Sequence, residues 1–407
     1  MISRTLLYVR RITRQLWFRV VLLSACSLLA LAIAPWLTPF IPEDLGERFG
    51  REAALPVLTI LASGMLAVTT FSLNVMVSAY RTAAATATPR VYRLLLEDTI
   101  TQSVLATFVG GFVFSLSAVI LFRAGFYSED AAIVVFAITV GVVALIVVAI
   151  LRWIDHLSGL GSMDHTLRLI EERSRTSLRQ RAEAPCLGAA CAEDDTRFQQ
   201  QGRAIPAQAS GFVRFVDVAG LQTLAEEAET RIAIHRTPGE FVLRGRPVAY
   251  AETGEETLCE AASRCIEIGD VRSFDQDPSF GLTLLAETAQ RALSPGVNDP
   301  GTALEVMGRL ERLLWENTPD EAEPDARDVS FDRVMMPAVS ARHLLSCAFP
   351  PIARAGGDDP AVIDWMDKAL SALAHHPNPA MAKAAADLRD GKRKGDDQEG
   401  DQEGEPK

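Results

Sequence analysis

The first part of the chain contains four long apolar runs separated by short polar segments. The runs extend from Val20 to Leu37, Leu55 to Tyr80, Ser103 to Phe122 and Ala131 to Leu151. A helix of roughly 20 residues crosses the hydrocarbon core of a bilayer. The fourth run carries no charged residue and is followed directly by Arg152. The pattern therefore predicts a four-span membrane domain over residues 1–157.

Beyond this domain the pattern changes to short alternating segments and amphipathic helices. It predicts a connecting helix and linker (158–207), a small mixed α/β portion (208–280), a helical portion (281–390) and a disordered acidic tail (391–407). The predicted fold class is a membrane α-helical block of four transmembrane helices, followed by a cytoplasmic α/β domain that ends in a helical subdomain.

The finer predictions in the second half concern individual elements. Strands are predicted at 211–217 and 231–236, and a hairpin is predicted to turn at Arg244 and Gly245. Helices are predicted at 218–230, at 256–270 and at 331–349, the last interrupted by Pro337.

The charges of the loops predict an orientation. Arginines precede the first span and also lie between the second and third spans: Arg4, Arg10, Arg11, Arg14, Arg19, Arg81, Arg90 and Arg93. The loop after the first span is acidic at Glu43, Asp44, Glu47 and Glu52. Because cytoplasmic loops of membrane proteins are enriched in Lys and Arg, both termini are predicted to be cytoplasmic, in a multi-pass protein of the bacterial inner membrane.

A cleaved signal peptide is the alternative interpretation of the first apolar run. Ala32, Ile33 and Ala34 resemble a cleavage site. However, the run is longer than the apolar region of a signal peptide, and Pro35 would hinder cleavage. An uncleaved first span is favoured.

Charge and cysteine content restrict the function of the second half. Residues 1–157 carry a net charge of +3 and the remaining residues −15, within a total of −12. An acidic domain lacks the basic face that nucleic acids require, so nucleic acid is not a predicted partner. The six cysteines are scattered, which favours reduced cytoplasmic thiols over a disulfide framework. Cys186 and Cys191 have no neighbouring His, so a zinc site is not predicted.

One loop has a composition that could bind a ligand. In RALSPGVNDPGTALEVM (291–307), one helix is predicted to stop and another to start, leaving backbone N–H groups free to hold an anion or phosphate. The same residues could simply cap the second helix, since Asp359-Pro360 and Asn378-Pro379 also precede predicted helices. The ligand candidates of this loop are Ser294, Gly296, Asn298, Asp299 and Thr302.

A second group of candidates lies just upstream. The segment EIGDVRSFDQDPSFG contains Arg272, Asp275 and Asp277 together with Glu267 and Asp270, and folding could bring Asn298 and Asp299 close to them. Oxygen ligands of this kind suit Mg²⁺ or Ca²⁺. The spacing matches no metal motif, however, and acidic loops are commonly solvated turns. No metal and no cofactor are predicted.

The second span carries a polar stripe. Its members recur at intervals that place them on one face of a helix: Thr59, Ser63, Thr70, Asn74 and Ser78. Such a face must contact protein or water. Helix packing is one interpretation of this stripe, and a pore or substrate path lined by the span is the other. A homo-oligomer is a possible assembly. In the third span, Thr107, Gly111 and Ser115 have the spacing that lets helices approach closely.

Four stretches together resemble a bacterial family of predicted membrane proteins, domain of unknown function 2254. They are PRVYRLLLEDTITQSVLATFVGGFVFSL, PGEFVLRGRPVA, RSFDQDPSFG and RALSPGVNDPGTA. The resemblance implies four inner-membrane spans with a cytoplasmic C-terminal domain, and it implies no activity. Gly301 stands where the family pattern has an aromatic residue.

The leading functional hypothesis is a membrane protein whose cytoplasmic domain senses or binds a ligand or protein partner and couples binding to the membrane block. No catalytic constellation is visible, which favours a non-enzymatic protein. One alternative is a homo-oligomeric channel lined by the second span. The other is an enzyme in which a divalent ion acts with Asp275, Asp277, Asn298 and Asp299. The lipid bilayer is the one partner that every hypothesis shares.

Overall fold

A computed structural model describes residues 13, 16–40, 51–192, 196–318, 329–357 and 359–402. The chain divides into two compact units. The first unit comprises Met1–Ala85 and Pro89–His165, and the second comprises Thr86–Thr88 and Thr166–Lys407. Most of the N-terminal arginines and the acidic residues 43–47 lie outside the described residues.

The first unit is built from helices. These are α1 (Leu16–Ile33), which continues as a 3₁₀ helix (Ala34–Phe40), α2 (Arg51–Thr86), α3 (Val91–Leu96), α4 (Thr99–Arg123) and α5 (Glu129–Gly159). Four stretches are long and apolar enough to cross a membrane: Trp17–Leu37, Glu52–Thr86, Thr99–Arg123 and Ala131–Gly159. The four predicted spans are confirmed at this level.

Helix α4 lies at the centre of the first unit because its small residues permit close approach. A Cβ atom on Gly111 would lie 2.9 Å from Ile146 of α5, and one on Gly110 would lie 3.3 Å from Leu23 of α1. Ser115, one turn further on, is fully buried and donates to the Gly111 carbonyl at 2.8 Å. The small-residue spacing therefore serves helix packing.

The second unit combines α-helices with two β-sheets. Its helices are α6 (Met163–Glu183), α7 (Thr196–Gln201), α8 (Val218–Glu227), α9 (Glu256–Arg264), α10 (Ser279–Ala292), α11 (Pro300–Asn317), α12 (Ala341–Ala348), α13 (Pro350–Ala355), α14 (Pro360–Leu373) and α15 (Pro379–Gln402). Its strands are β1 (Ala189–Cys191), β2 (Arg203–Pro206), β3 (Gly211–Val216), β4 (Ile232–Ile234), β5 (Phe241–Val242), β6 (Pro247–Ala251), β7 (Ile266–Gly269) and β8 (Phe331–Met336). The division between the units falls after His165, in the first turn of α6.

The two sheets enclose a common apolar core. The larger sheet has the order β1-β8-β4-β6-β2, in which β8 pairs parallel with both β1 and β4. The smaller sheet has the order β5-β3-β7 and is antiparallel. Ile205, Val213 and Val334, from three different strands, are each no more than 1% exposed in this core. Alternation of apolar residues in β3, which the sequence predicts, places Val213 and Phe215 inside.

Several local predictions differ from the structure. The segment predicted as a linker contains β1, α7 and β2, and Cys186 and Cys191 form a disulfide with a Cα–Cα distance of 5.5 Å. The prediction of reduced thiols is wrong for this pair. Leu187 and Gly188 both adopt positive φ between the two cysteines, so the chain reverses and brings the sulfurs together.

The predicted hairpin is also incorrect, although its turn exists. Gly245 has a φ of +80°, and the Arg246 amide donates to the Leu243 carbonyl at 3.0 Å. Yet β5 pairs with β3, whereas β6 pairs with β2 and β4 in the other sheet. The turn therefore carries the chain from one sheet to the other.

Two segments predicted as helix contain strands. The predicted helix 256–270 ends at Arg264, and β7 follows it. Residues 331–336, predicted to begin a helix, form β8 between β1 and β4. In the opposite sense, α15 runs through Gln402, across most of the tail for which disorder is predicted, while residues 403–407 lie outside the described residues.

Candidate functional site

A polar cluster lies at the start of α10, and Asp277 is its centre. The Arg272 guanidinium donates to an Asp277 carboxylate oxygen at 2.7 Å and to the Ser279 hydroxyl at 2.8 Å. Ser279 in turn donates to the other Asp277 oxygen at 2.9 Å. Asp277 is only 2% exposed, so these contacts are made away from water. Two of the predicted site residues, Arg272 and Asp277, are thereby brought together.

The loop that carries Asp277 is held by backbone contacts with β3. The Gln276 side chain accepts from the Val216 amide at 2.8 Å and donates to the Val216 carbonyl at 3.0 Å. Gly239 approaches from the loop before β5: its φ is +99°, and a Cβ there would lie 2.4 Å from an Asp277 oxygen. Only glycine satisfies both conditions. The position of Asp277 is thus fixed by the surrounding fold.

A second guanidinium, that of Arg181 near the end of α6, is buried near Asp277. Arg181 is 5% exposed, and its Nε, Nη1 and Nη2 atoms have no hydrogen-bond partner among the described residues. Burial lowers the pKa of Arg181 to about 10, against the opposing field of Asp277. Buried polar groups are normally hydrogen-bonded, so three unsatisfied N–H-bearing nitrogens on one side chain are exceptional.

The charges of the cluster do not balance. Arg181 and Arg272 are both cationic, whereas Asp277 supplies a single negative charge and already accepts bonds from Arg272 and Ser279. The start of α10 adds the partial positive charge of a helix N-terminus. The arrangement is therefore chemically suited to hold one small anion, since a guanidinium binds oxyanions with two parallel hydrogen bonds.

The remaining members of the cluster come from α12. His343 Nε2 lies 3.3 Å from the Ser279 hydroxyl and 3.8 Å from the Cys347 sulfur. His343 is exposed and Cys347 is half-buried, so the cluster reaches the surface of the unit on this side.

The other predicted ligand residues lie at the opposite end of α10. Asp277 precedes this helix, whereas Ser294, Gly296, Asn298 and Asp299 follow it. The helix has 14 residues, which at a rise of 1.5 Å per residue separates the two groups by about 20 Å. The juxtaposition of Asn298 and Asp299 with the upstream acids does not occur.

Asp299 is the N-cap of α11. Its carboxylate accepts from the Thr302 amide at 3.1 Å and from the Thr302 hydroxyl at 2.5 Å. These bonds, chiefly the one from the hydroxyl, hold the pKa of Asp299 below its usual value. Asn298 adopts a φ of +50° immediately before the cap, and Gly296 has open space around it. Asp275 is half-buried in the upstream loop.

Asp299→Ala is expected to lower the free energy of unfolding by about 0.5–2 kcal/mol, because α11 loses its capping acceptor. The folded-state pKa is depressed, so the contribution is present above the unfolded pKa and is lost as the pH falls through the folded value. Denaturant titration of the full-length protein at pH 7 and at pH 3 measures both effects. Asp299→Ser, an equally good cap, is the control; a loss equal to that of alanine would contradict the capping role.

A divalent-metal site finds no support in the part of the chain that the structure describes. Within that part, no three side chains of His, Cys, Asp or Glu converge in a way that could hold a metal ion. Glu267 instead pairs with Arg214 at 3.6 Å, and Asp277 pairs with Arg272.

The polar stripe lies on an exposed face of α2. All five of its residues, Thr59, Ser63, Thr70, Asn74 and Ser78, are exposed, whereas the buried face of α2 carries Leu58, Met65, Met76 and Tyr80. The hydroxyls of Thr59, Ser63 and Thr70 donate to carbonyls of their own helix at 2.9–3.1 Å. The Asn74 side chain is exposed, and no hydrogen bond joins it to another described residue.

Sequence reasoning missed four members of the cluster: Arg181, Ser279, His343 and Cys347. Arg181 lies in the charge-rich stretch RTSLRQR, which is typical of a solvated helix face. His343 and Cys347 are one helical turn apart, a spacing that places them on one face of a helix. That i, i+4 pair is the one signal in the sequence that could have singled them out.

The fold and composition define a membrane protein with four membrane-length helices followed by a mixed α/β region and further helices. The chain belongs to the family described as Predicted membrane protein (DUF2254), whose profile matches residues 13–372. The resemblance found in the sequence is thereby confirmed.

Curated relatives are bacterial and uncharacterised. The chain is 26% identical over 337 residues to Uncharacterized protein Mb1321c of Mycobacterium bovis and to Uncharacterized protein Rv1290c of Mycobacterium tuberculosis. Each alignment covers 79% of this chain and 63% of the relative, so the chain spans less than two thirds of the length of these proteins. No solved structure matches the chain significantly.

Proposed function

We propose that this protein is an inner-membrane sensor whose second unit is cytoplasmic and binds a small oxyanion between Arg181 and Arg272. The observation that carries the proposal is the buried Arg181 side chain, whose three nitrogens have no hydrogen-bond partner among the described residues. A bound oxyanion would accept from this guanidinium and neutralise the second positive charge of the cluster. An unpaired buried cation otherwise costs several kcal/mol.

Helix α6 is the proposed route of coupling to the membrane. It carries Arg181 in its last turn, and it follows α5, the fourth apolar helix, after a short connection that includes Gly161 at a φ of +84°. Its Ser174 lies so close to Gly281 of α10 that a Cβ at position 281 would overlap the Ser174 hydroxyl. A change in the cluster at the start of α10 would therefore act directly on α6.

Thermal unfolding of the full-length protein in detergent tests anion binding. A ligand that binds only the folded state stabilises it by about 2.7 kcal/mol at a concentration 100 times its dissociation constant. Phosphate is expected to raise the melting temperature in a saturable way, relative to chloride at equal ionic strength. Because sulfate and phosphate also stabilise proteins non-specifically, saturation is the decisive feature. A strictly linear, unsaturable rise would contradict the proposed site.

The proposed orientation has both termini in the cytoplasm, and the loop charges support it. Cysteine introduced at Glu47 is expected to react with an impermeant maleimide in intact cells, and cysteine at Arg90 is expected to react only after lysis. The Cys186–Cys191 disulfide gives this experiment additional weight, because disulfides are rare in the cytoplasm. Labelling of Arg90→Cys but not Glu47→Cys in intact cells would place the second unit outside.

The exposed polar stripe of α2 favours a second functional candidate, a homo-oligomer assembled through this helix. An unpaired amide in lipid costs several kcal/mol, and Asn74 is exposed without a partner. An amide both donates and accepts, so two copies of the same helix satisfy each other. Such an assembly either packs the four-helix blocks together or encloses a pore lined by α2. Native mass spectrometry of the full-length protein from membranes measures the expected oligomer; a monomer at every concentration would contradict it.

A further inference from the structure

The side chains of His343 and Cys347 form a pair on α12. The Cys347 sulfur lies 3.8 Å from His343 Nε2, and the same nitrogen lies 3.3 Å from the Ser279 hydroxyl. Ser279 also accepts from Arg272 at 2.8 Å. The thiol therefore faces an imidazole that is held in place by a hydroxyl, which is itself bonded to a guanidinium.

The environment of Cys347 favours the thiolate. Burial opposes this, but the hydrogen bond to His343, the charge of the imidazole and that of Arg272 together lower the pKa of Cys347. The same hydrogen bond raises the pKa of His343, although partial desolvation of the imidazole opposes this shift. By contrast, burial raises the pKa of the Cys259 thiol.

Other charged groups also lie near α12, and the position of each decides whether it affects the Cys347 thiolate. Asp277 lies across the cluster from His343 and also raises its pKa. Arg342, the neighbour of His343 in the chain, pairs with Asp387 of α15 at 2.6 Å. Arg354 of the packed helix α13 is exposed. No carboxylate among these opposes the thiolate by direct contact.

We propose that Cys347 is a nucleophilic thiolate paired with the His343 imidazolium and that small hydroperoxides oxidise it to sulfenic acid. The sulfur attacks the terminal oxygen of the hydroperoxide, and an S–O bond forms as the O–O bond breaks. The sulfur is oxidised to sulfenic acid and the hydroperoxide is reduced. The departing oxygen takes the proton of the imidazolium and leaves as water or an alcohol. Cys347 is half-buried, whereas Cys259 is buried.

The reactivity of Cys347 does not depend on anion binding by Arg181, because it is measured without any anion. Oxidation of Cys347 would nevertheless remove the thiolate from the cluster to which Arg272 and Ser279 belong. Failure of phosphate to bind and failure of Cys347 to react are separate outcomes of separate experiments.

The pH dependence of alkylation tests the pair. Full-length protein in detergent is treated with iodoacetamide, and peptide mass spectrometry gives the rate at each cysteine. The Cys347 rate is expected to reach half its maximum at a lower pH than the value of about 8.5 for an ordinary thiol. Cys265 is the internal comparison, and Cys259, which is buried, reports whether the protein stays folded.

Substitution of His343 shows whether the reactivity of Cys347 depends on the imidazole or only on the accessibility of the thiol. His343→Gln is expected to raise the Cys347 midpoint, whereas Arg342→Gln on the same helix leaves it unchanged. Hydrogen peroxide followed by dimedone is expected to label Cys347 before the other thiols, and to label it at least ten-fold more slowly in His343→Gln. A wild-type midpoint at about 8.5, or no dimedone adduct at Cys347, would overturn the proposal irrespective of how the variants fold.

Discussion

Arg181→Met is expected to raise the melting temperature of the ligand-free protein and to abolish its saturable stabilisation by phosphate. Arg181 is buried, and its nitrogens have no hydrogen-bond partner among the described residues, so the charge carries a desolvation penalty. Asp277 keeps Arg272 as its partner in the variant. Replacement of a buried ionic group by an apolar side chain of similar volume is often neutral or stabilising by about 1–4 kcal/mol. For a domain of this size, each kcal/mol corresponds to roughly 2–4 °C.

Differential scanning calorimetry of the full-length protein, with and without phosphate, measures both parts of this prediction. The matched control is Arg168→Met, which removes an exposed arginine from the same helix. It is expected to retain the phosphate response. If Arg181→Met lowered the melting temperature while the response to phosphate persisted, Arg181 would be a structural residue and the binding site would lie elsewhere.

The membrane block could be predicted from the sequence almost completely. Long apolar runs have one stable arrangement in a bilayer, since only helices satisfy every backbone group within a single segment. The third and fourth runs therefore appear within α4 (Thr99–Arg123) and α5 (Glu129–Gly159), and α5 continues beyond the apolar run to Gly159. Helix starts marked by Asp-Pro, at Asp299 and Asp359, were equally predictable because a cap is a local contact.

The strands of the second unit could be predicted only where apolar and polar side chains alternate along the chain. Residues 211–216 have apolar side chains on one face, and they form β3. Residues 331–336 have no such period, and β8 exists because it is paired on both sides, with β1 and with β4. That pairing joins segments far apart in the sequence, so no window of sequence around Val334 contains the reason for the strand.

The residues of the candidate site also divide into local and distant contacts. Arg272 and Asp277 are five residues apart and their pairing is local, so the sequence could suggest it. Arg181 differs because its burial depends on α6 lying against the start of α10, where Ser174 and Gly281 approach closely. An arginine in a polar helix is normally solvated, and the sequence alone gives no reason to expect otherwise.

Asn74→Leu is expected to weaken self-association of the full-length protein in detergent about ten-fold. The Asn74 amide is exposed on α2 and has no partner among the described residues, so it gains hydrogen bonds only from a neighbouring molecule. Interhelical hydrogen bonds of this kind contribute about 1–2 kcal/mol, and 1.4 kcal/mol is a factor of ten in the dissociation constant. Analytical ultracentrifugation measures the change. Leu73→Ala, at a neighbouring exposed position, is the control.

Cysteine accessibility then distinguishes packing from a pore. If α2 only packs against its copy, ion flux in liposomes is unchanged by Asn74→Leu, and cysteines along the stripe react slowly with water-soluble thiol reagents because they are sealed in the interface. If α2 lines a pore, cysteines at Thr70, Asn74 and Ser78 react rapidly, those at Leu73 and Val77 do not, and the leucine variant alters flux. Packing is the expected result because Thr70 already donates to its own helix at 2.9 Å and needs no water. Rapid reaction at the three stripe positions alone would contradict that expectation and show that α2 lines a water-filled pore.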